Sequence, residues 1–347
     1  MKKIRVGMAS YGMSGEIFHA PLLDVNPGFE IISILERSKN NSASRFPNSK
    51  VARSLQELLD NDMIELIIVN TPDFLHYEMT KQALLAGKHV ITEKPFVMNS
   101  EMGQELIDLA KKEGLLLSVF QNRRWDGDFL TIRKILDEGL LGRLVEYEAH
   151  FDRFRNKIQT GSWKEDPDIG VGTLFNLGSH IIDQALVLFG KPEYVYADIR
   201  KLRDETQIDD SFTLLLGHTD VKITLKASYL VKEPGPRYYL HGTEGSFLKH
   251  GIDPQEDALK KGEWPGGHDW GKEAESEWGF LNTEADGKSF RGKYKTLPGN
   301  YGYFYEDILH SLKTGNEPAV TAEQANMVIR IIEAAYESNK TGKRIPI

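Results

Sequence analysis

Alternation is what most constrains this chain. Residues 4–9, 30–35, 64–69, 89–91 and 115–120 are short apolar runs rich in β-formers. Between them, 15–24, 55–61, 74–86 and 100–113 carry helical spacing, and Gly87 and Gly114 stand where helices should stop. Strands alternating with helices at this interval build βαβ units, and near-continuous apolar strands belong to a parallel sheet covered on both faces. A doubly wound α/β domain is expected over residues 1–122.

The pattern then changes. Residues 143–153, 193–200, 211–216, 221–229, 238–241 and 246–249 are strand-like with few helices between them, so 123–347 is expected to be an α+β domain with a mostly antiparallel sheet. One helix is expected over 175–189, and two more near 301–312 and 322–338. Residues 253–300 show no clean period and read as a long excursion, a lid or a contact with another subunit.

Composition narrows the function. The 347 residues carry 43 Lys+Arg against 51 Asp+Glu, a net charge of −8. With no basic stripe, neither nucleic acid nor an anionic membrane is an expected partner. There are no cysteines, which removes disulfide scaffolds, thiol nucleophiles and Cys-ligated metals. No run reaches the length of a membrane span, and the first residues lack a secretory pattern, so a cytoplasmic location is expected. No H-E-x-x-H or G-x-S-x-G occurs, and no metal site is expected.

After the first strand comes Ser10-Tyr11-Gly12-Met13-Ser14-Gly15, opening a helix. This is the dinucleotide fingerprint G-x-G-x-x-G with Ser10 in the first glycine position. Gly12 and Gly15 can give close approach to a pyrophosphate and tight helix–strand packing, and a helix N-terminus offers N–H groups to phosphate. A plain structural turn is the alternative. Glu36 lies twenty-one residues after Gly15, at the end of the second strand, where an acid binds the adenosine ribose. Glu36 favours NAD, while Arg37 and Lys39 keep NADP open.

Two further motifs bear on chemistry. Glu93-Lys94-Pro95 follows the fourth apolar run, where ligands of open α/β sheets bind. A lysine there can polarise a substrate oxygen; a surface lysine before a helix-breaking proline is the alternative. In the helix expected over 175–189, Asn176, His180 and Asp183 share one face by the i, i+4, i+7 rule. A histidine so placed suits general acid/base work, with a satisfied structural histidine as its rival.

The runs VGMASYGMSGEIFHAPLL, NTPDFLHYEMTKQALLAGKHVITEKP, QNRRWDGDFLTIRKIL and NLGSHIIDQALVLFG resemble the Gfo/Idh/MocA oxidoreductases over essentially the whole chain. Within that family the chain resembles bacterial scyllo-inositol dehydrogenases and their uncharacterised relatives. The resemblance implies a Rossmann domain and a C-terminal domain with a large open-faced sheet, through which dimers or tetramers pack. It implies a catalytic lysine at Lys94 beside Glu93, and a catalytic histidine at His180. It also implies that Thr71, Pro72 and His76 line the cofactor loop, that Asn122 stands beside the nicotinamide, and that Arg153 and Arg155 face substrate. Two departures stand out: Ser10 for glycine, and Asn176 where many members carry aspartate. Asn176 can orient the histidine ring but supplies no charge.

The expected function is an NAD(P)-dependent dehydrogenase of a polyol, inositol or sugar. A non-catalytic cofactor and sugar sensor, or an NAD-dependent glycosidase, are its rivals.

Overall fold

The structure, a computed structural model, describes residues 2–159, 161–162, 165–166, 172–287 and 289–347. Its first sheet has six parallel strands: β1 (Ile4–Met8), β2 (Phe29–Leu35), β3 (Lys50–Ala52), β4 (Leu66–Val69), β5 (His89–Thr92) and β6 (Leu117–Val119). They lie in the order β3-β2-β1-β4-β5-β6. That order reverses direction between β1 and β4, and the crevice outside the carboxyl ends of the strands is where such sheets bind nucleotides. Every residue of β4 is buried, as a central strand covered on both faces requires.

The helices of this sheet start and stop where their residues dictate. The chain leaves the glycine turn in a π-helical turn, Gly15–His19, which runs into α1 (Ala20–Val25). Ser54 Oγ accepts the Glu57 N–H at the start of α2 (Leu55–Leu59), and Asn99 Oδ1 accepts the Met102 N–H at the start of α4 (Ser100–Glu113). α3 (His76–Leu85) follows a short 3-10 turn, Asp73–Leu75. Gly114, at φ 66°, ends α4 in the left-handed region that a side chain disfavours.

The second sheet has nine strands: β7 (Leu144–His150), β8 (Tyr194–Arg200), β9 (Ser211–Gly217), β10 (Lys222–Ser228), β11 (Tyr238–Gly242), β12 (Gly245–Lys249), β13 (Gly279–Thr283), β14 (Phe290–Tyr294) and β15 (Ile345–Pro346). Their order is β14-β13-β12-β11-β7-β10-β9-β8-β15, and only the β7–β10 pair is parallel. Along β8, Val195, Ala197 and Ile199 turn inward while Tyr196, Asp198 and Arg200 stand exposed. This period of two gives a face that builds the core and a polar face opposite. α5 (Gly127–Asp137) and α6 (Ser179–Phe189) put Ile132, Ile135, Ile181 and Ile182 into the same core as Tyr147, Leu214 and Leu225.

Three expectations change. The stretch 253–300 is not one excursion: it holds α7 (Gln255–Lys260) and the strands β13 and β14, which extend the second sheet. Those strands carry Gly279, Asn282 and Gly292, residues that local preference places outside sheets. The helix expected over 175–189 begins as a π turn, Leu174–Gly178, before α6. α5 and β3 were not expected at all.

Two compact units emerge. The first comprises the chain up to Trp125 together with Pro254–Trp270 and Asn300–Asn326. It therefore includes α7 and α8 (Gly302–Thr314). The second comprises Asp126–Asp253, Gly271–Gly299 and Met327–Ile347, with most of α9 (Ala322–Thr341).

Candidate active site

In the first unit, Ser10, Glu36, Thr71, Glu93 and Asn122 each follow the carboxyl end of a parallel strand: β1, β2, β4, β5 and β6 in turn. A parallel sheet brings all such ends to one edge. Candidates scattered over 113 residues of sequence are thereby gathered at the edge that the fold uses for ligands.

Ser10 does part of the work of the missing glycine. Its Oγ accepts the Gly12 N–H at 3.0 Å and its carbonyl accepts Asn70 Nδ2 at 2.8 Å. Its backbone needs no left-handed conformation, since Glu205 is the one non-glycine residue at positive φ among the described residues. Gly15 is enforced by space: a Cβ there would lie 2.5 Å from the Ser10 carbonyl oxygen and 2.6 Å from Asn70 Nδ2. The turn thus fits a dinucleotide, because the helix can approach the strand only without a side chain at Gly15. Asn70 Oδ1 and Thr71 Oγ1, buried beside it, find no hydrogen-bond partner among the described residues. Tyr11 stands edge-on to Phe46, Met13 is exposed, and Ser14 Oγ donates to the Asn70 carbonyl at 3.4 Å.

The Glu93-Lys94-Pro95 turn is held from two sides. Glu93 Oε2 accepts the Lys94 backbone N–H at 3.0 Å. His76, fully buried, has Nδ1 2.8 Å from the Pro95 carbonyl and Nε2 3.0 Å from the Thr71 carbonyl. His76 therefore ties the turn after β4, with Thr71 and Pro72, to the turn after β5. Burial pushes the Glu93 carboxyl up, but its contacts with His19 and Lys94 outweigh that and leave it below its ordinary value. Lys94 is half-buried. Asn122 is buried at the start of a short 3-10 turn.

Glu36 is buried, and its own chain uses both carboxylate oxygens. Oε2 accepts the Asn41 N–H at 2.9 Å, and Oε1 accepts the Ser42 N–H at 2.9 Å and the Ser42 hydroxyl at 2.5 Å. Burial raises its pKa, but these bonds and Arg53 together lower it below the usual range. Arg53 closes the loop from below, donating to the carbonyls of Glu36 (2.7 Å) and Lys39 (2.6 Å). The side chains of Arg37 and Lys39 are exposed.

Arg153, Arg155, Asn176 and His180 belong to the second unit. His180 is buried in the first turn of α6, its ring stacked on Phe151 just beyond β7. Asp183, one turn on, is also buried. Asn176 lies within the π turn, and its Nδ2 reaches the Tyr229 hydroxyl at 3.4 Å. Arg155 and Arg203 lie over the ring of the same Tyr229. The π turn is anchored by Asp209, whose carboxylate accepts the Leu174 N–H and the Tyr336 hydroxyl. A Cβ at Gly172 would lie 1.9 Å from Asp209 Oδ1, so that anchor needs glycine there.

Several residues here have no counterpart among the sequence candidates: Asn70, Phe151, Tyr229 and Asp209. Asn70 directly precedes Thr71 and could have been read as the polar end of β4. The other three become neighbours of the candidates only through tertiary packing.

Comparison with known proteins adds the lineage. Residues 4–121 match the oxidoreductase family model for an NAD-binding Rossmann fold, and residues 133–347 match its C-terminal alpha/beta domain. The scyllo-inositol 2-dehydrogenase (NADP(+)) IolW of Bacillus subtilis is 42% identical, over 99% of this chain and 95% of its own. A Bacteroides fragilis crystal structure is 50% identical over the whole of both chains, with a TM-score of 0.93. An oxidoreductase from Bacillus cereus is 32% identical over 99% of each chain, with a TM-score of 0.91. With both halves matched and relatives similar end to end, the chain belongs to the Gfo/Idh/MocA family of oxidoreductases.

Proposed function

We propose that this oxidoreductase is an NADP-dependent dehydrogenase acting on the CH–OH group of a polyol, with inositols and sugars as its substrate class. The observation that carries the reading is the gathering of the glycine turn, the Thr71-Pro72 loop, Lys94 and Asn122 at the carboxyl edge of one parallel sheet. The 42% identity to an inositol dehydrogenase supports the substrate class.

The choice of NADP rests on Glu36. A carboxylate that already accepts three hydrogen bonds from Asn41 and Ser42 has little capacity left for ribose hydroxyls. The same bonds, with those of Arg53, order the loop that carries Arg37 and Lys39 outward, as recognition of a 2′-phosphate requires.

Bound nicotinamide supplies the hydride acceptor. The N–H groups opening the helix after Gly15 receive the pyrophosphate. Lys94 holds and polarises the substrate oxygen, and His180 takes the hydroxyl proton. Arg153 and Arg155 bind further hydroxyls. The polar face of the nine-stranded sheet is the surface through which subunits pair.

Two measurements test this. Calorimetric titration should give NADP the tighter binding, and Arg37→Ser with Lys39→Ala should weaken NADP about tenfold or more while sparing NAD. A wild-type preference for NAD would return the ribose to Glu36. A screen of inositols, pentoses and hexoses by nicotinamide absorbance should find turnover that Lys94→Ala lowers in kcat with cofactor affinity intact. Cofactor binding without turnover on any of them would leave a sensor.

A further inference from the structure

His19 closes the π turn that begins at Gly15, and it is wholly buried. Its ring has two polar partners. Nε2 lies 3.0 Å from Glu93 Oε1, and Nδ1 lies 2.6 Å from the Tyr305 hydroxyl on α8. A carboxylate can only accept, so Nε2 carries the proton. A neutral ring then satisfies both neighbours in one tautomer: Nε2 donates to Glu93, and Nδ1 accepts from Tyr305. Phe120 lies against the ring at 4.4 Å, and Phe120 and Phe304 meet edge to face at 4.9 Å, closing an apolar wall around the pair.

The other oxygen of Glu93 accepts the Lys94 backbone N–H. The links therefore run Tyr305, His19, Glu93, Lys94, all in the first unit. A buried polar chain of this kind is an expensive way to fill space, because each member needs its partner. An apolar side chain at position 19 would leave one oxygen of the buried Glu93 short of its partner. With both oxygens engaged, the rotation of the Glu93 carboxylate is set, and one of them holds the backbone of Lys94. His19 also lies four residues beyond Gly15, so the glycine turn and the lysine turn are joined through a single ring.

We propose that His19 is a positioning residue: braced by Tyr305 and donating to Glu93, it orients Lys94 through Glu93. The proposal rests on the assignment of Lys94 as the group that holds the substrate oxygen, but its first test does not. In cofactor-free protein, the rate at which trinitrobenzenesulfonate modifies Lys94, read by peptide mass mapping, reports the environment of the amine. His19→Phe should change that rate at least threefold. His19→Gln, whose amide can still donate to Glu93, should restore it to within twofold, and Tyr305→Phe should move it in the same direction as His19→Phe by a smaller factor. On an inositol that the wild type oxidises, His19→Phe should lower kcat tenfold or more, with cofactor Kd changed less than threefold and with rescue by His19→Gln.

A folded His19→Phe with wild-type Lys94 modification overturns the proposal, and so does His19→Gln behaving like His19→Phe. Altered modification with unchanged turnover supports the positioning chain and overturns the role given to Lys94. Should His19→Phe fail to fold, Tyr305→Phe decides: it removes one hydroxyl, and an unmoved Lys94 overturns the proposal.

Discussion

Phe151 lies against His180 with ring centroids 5.9 Å apart and planes inclined by 28°. The same phenyl ring carries two cations, the guanidinium carbons of Arg153 and Arg237 at 4.6 and 4.7 Å from its centroid. Contacts of this kind contribute about 0.5–2 kcal/mol each. Phe151 is thus a common platform for the histidine and for one of the arginines assigned to substrate. Phe151→Leu keeps an apolar filler but removes the flat surface. It should lower kcat about tenfold and raise KM, with cofactor Kd unchanged. Steady-state kinetics beside a titration of the cofactor separate these, and unaltered kinetics would reduce the stack to packing.

Asn176 lies four residues before His180, and a carboxylate facing a histidine favours its imidazolium form. Asn176→Asp should therefore move the acidic limb of the pH–rate profile upward if position 176 faces His180. Its contact with Tyr229 offers the other outcome. If the side chain serves that contact, Asn176→Asp should leave the profile in place and act on KM instead. Asp183 then becomes the better partner for His180.

Gly15 tolerates no side chain, because the atoms in the way include backbone. Gly15→Ala should cost roughly 1–3 kcal/mol of stability and weaken cofactor binding more than tenfold. At Gly12 the nearest atom to a Cβ is the Ser10 Oγ at 3.3 Å, which can swing aside. Gly12→Ala should unfold close to the wild-type temperature. Thermal melts with and without cofactor would check the contrast.

His150, at the end of β7, has Nδ1 3.0 Å from Asp152 and Nε2 2.6 Å from Glu148, while Lys226 faces Glu148 at 3.6 Å. Burial lowers the His150 pKa, but the two carboxylates outweigh it and raise the value above the ordinary one. Stability from this group is complete below about pH 6.5, the unfolded value, and is lost as pH rises through the folded value. The wild-type Tm should fall over that window, and His150→Gln should flatten the fall. Parallel melts from pH 5.5 to 9 would show it; identical slopes would remove His150 from the account.

Glu256, in α7, pairs with Arg123 and with Lys260. Burial alone raises its pKa, but Arg123 and then Lys260 outweigh that and bring it to about 2. Its contribution is complete above the unfolded value near pH 4.3 and is lost as pH falls through 2. A tenfold change in proton affinity corresponds to about 1.4 kcal/mol, so the pair contributes on the order of 3 kcal/mol at neutral pH. Glu256→Gln should lose about that much in urea unfolding at pH 7 and show a smaller drop between pH 4.5 and 2.

The parallel sheet was legible because its strands are buried on both faces and leave unbroken apolar runs, as in β4. α5 was missed for the opposite reason. Its buried face includes Asp128 and Thr131, preceded by the buried Asp126, so polarity there does not report exposure. Arg237 answers both aspartates, but it lies more than a hundred residues away. Glu36 was legible as an acid at a strand end. Its partners were not, because the Asn41 and Ser42 N–H groups come within reach only once the loop has turned back. Asn176 was placed on one face with His180 by α-helical spacing, and a π turn intervenes.

Both motif helices open with such a turn, at Gly15–His19 and at Leu174–Gly178. A π turn holds about one more residue than an α turn, so it acts as a spacer set into the helix. Deleting one residue from either turn would let it close as an ordinary α turn, leaving the helix beyond in phase with what it packs on. His180 would keep its place on Phe151 and the sheets their pairing, while the side chains set inside the turn, Asn176 in the second, would be re-aimed. A one-residue deletion in either turn therefore changes the aim of the turn's own side chains while the fold is kept, and becomes a sharper probe of what those side chains do than most substitutions.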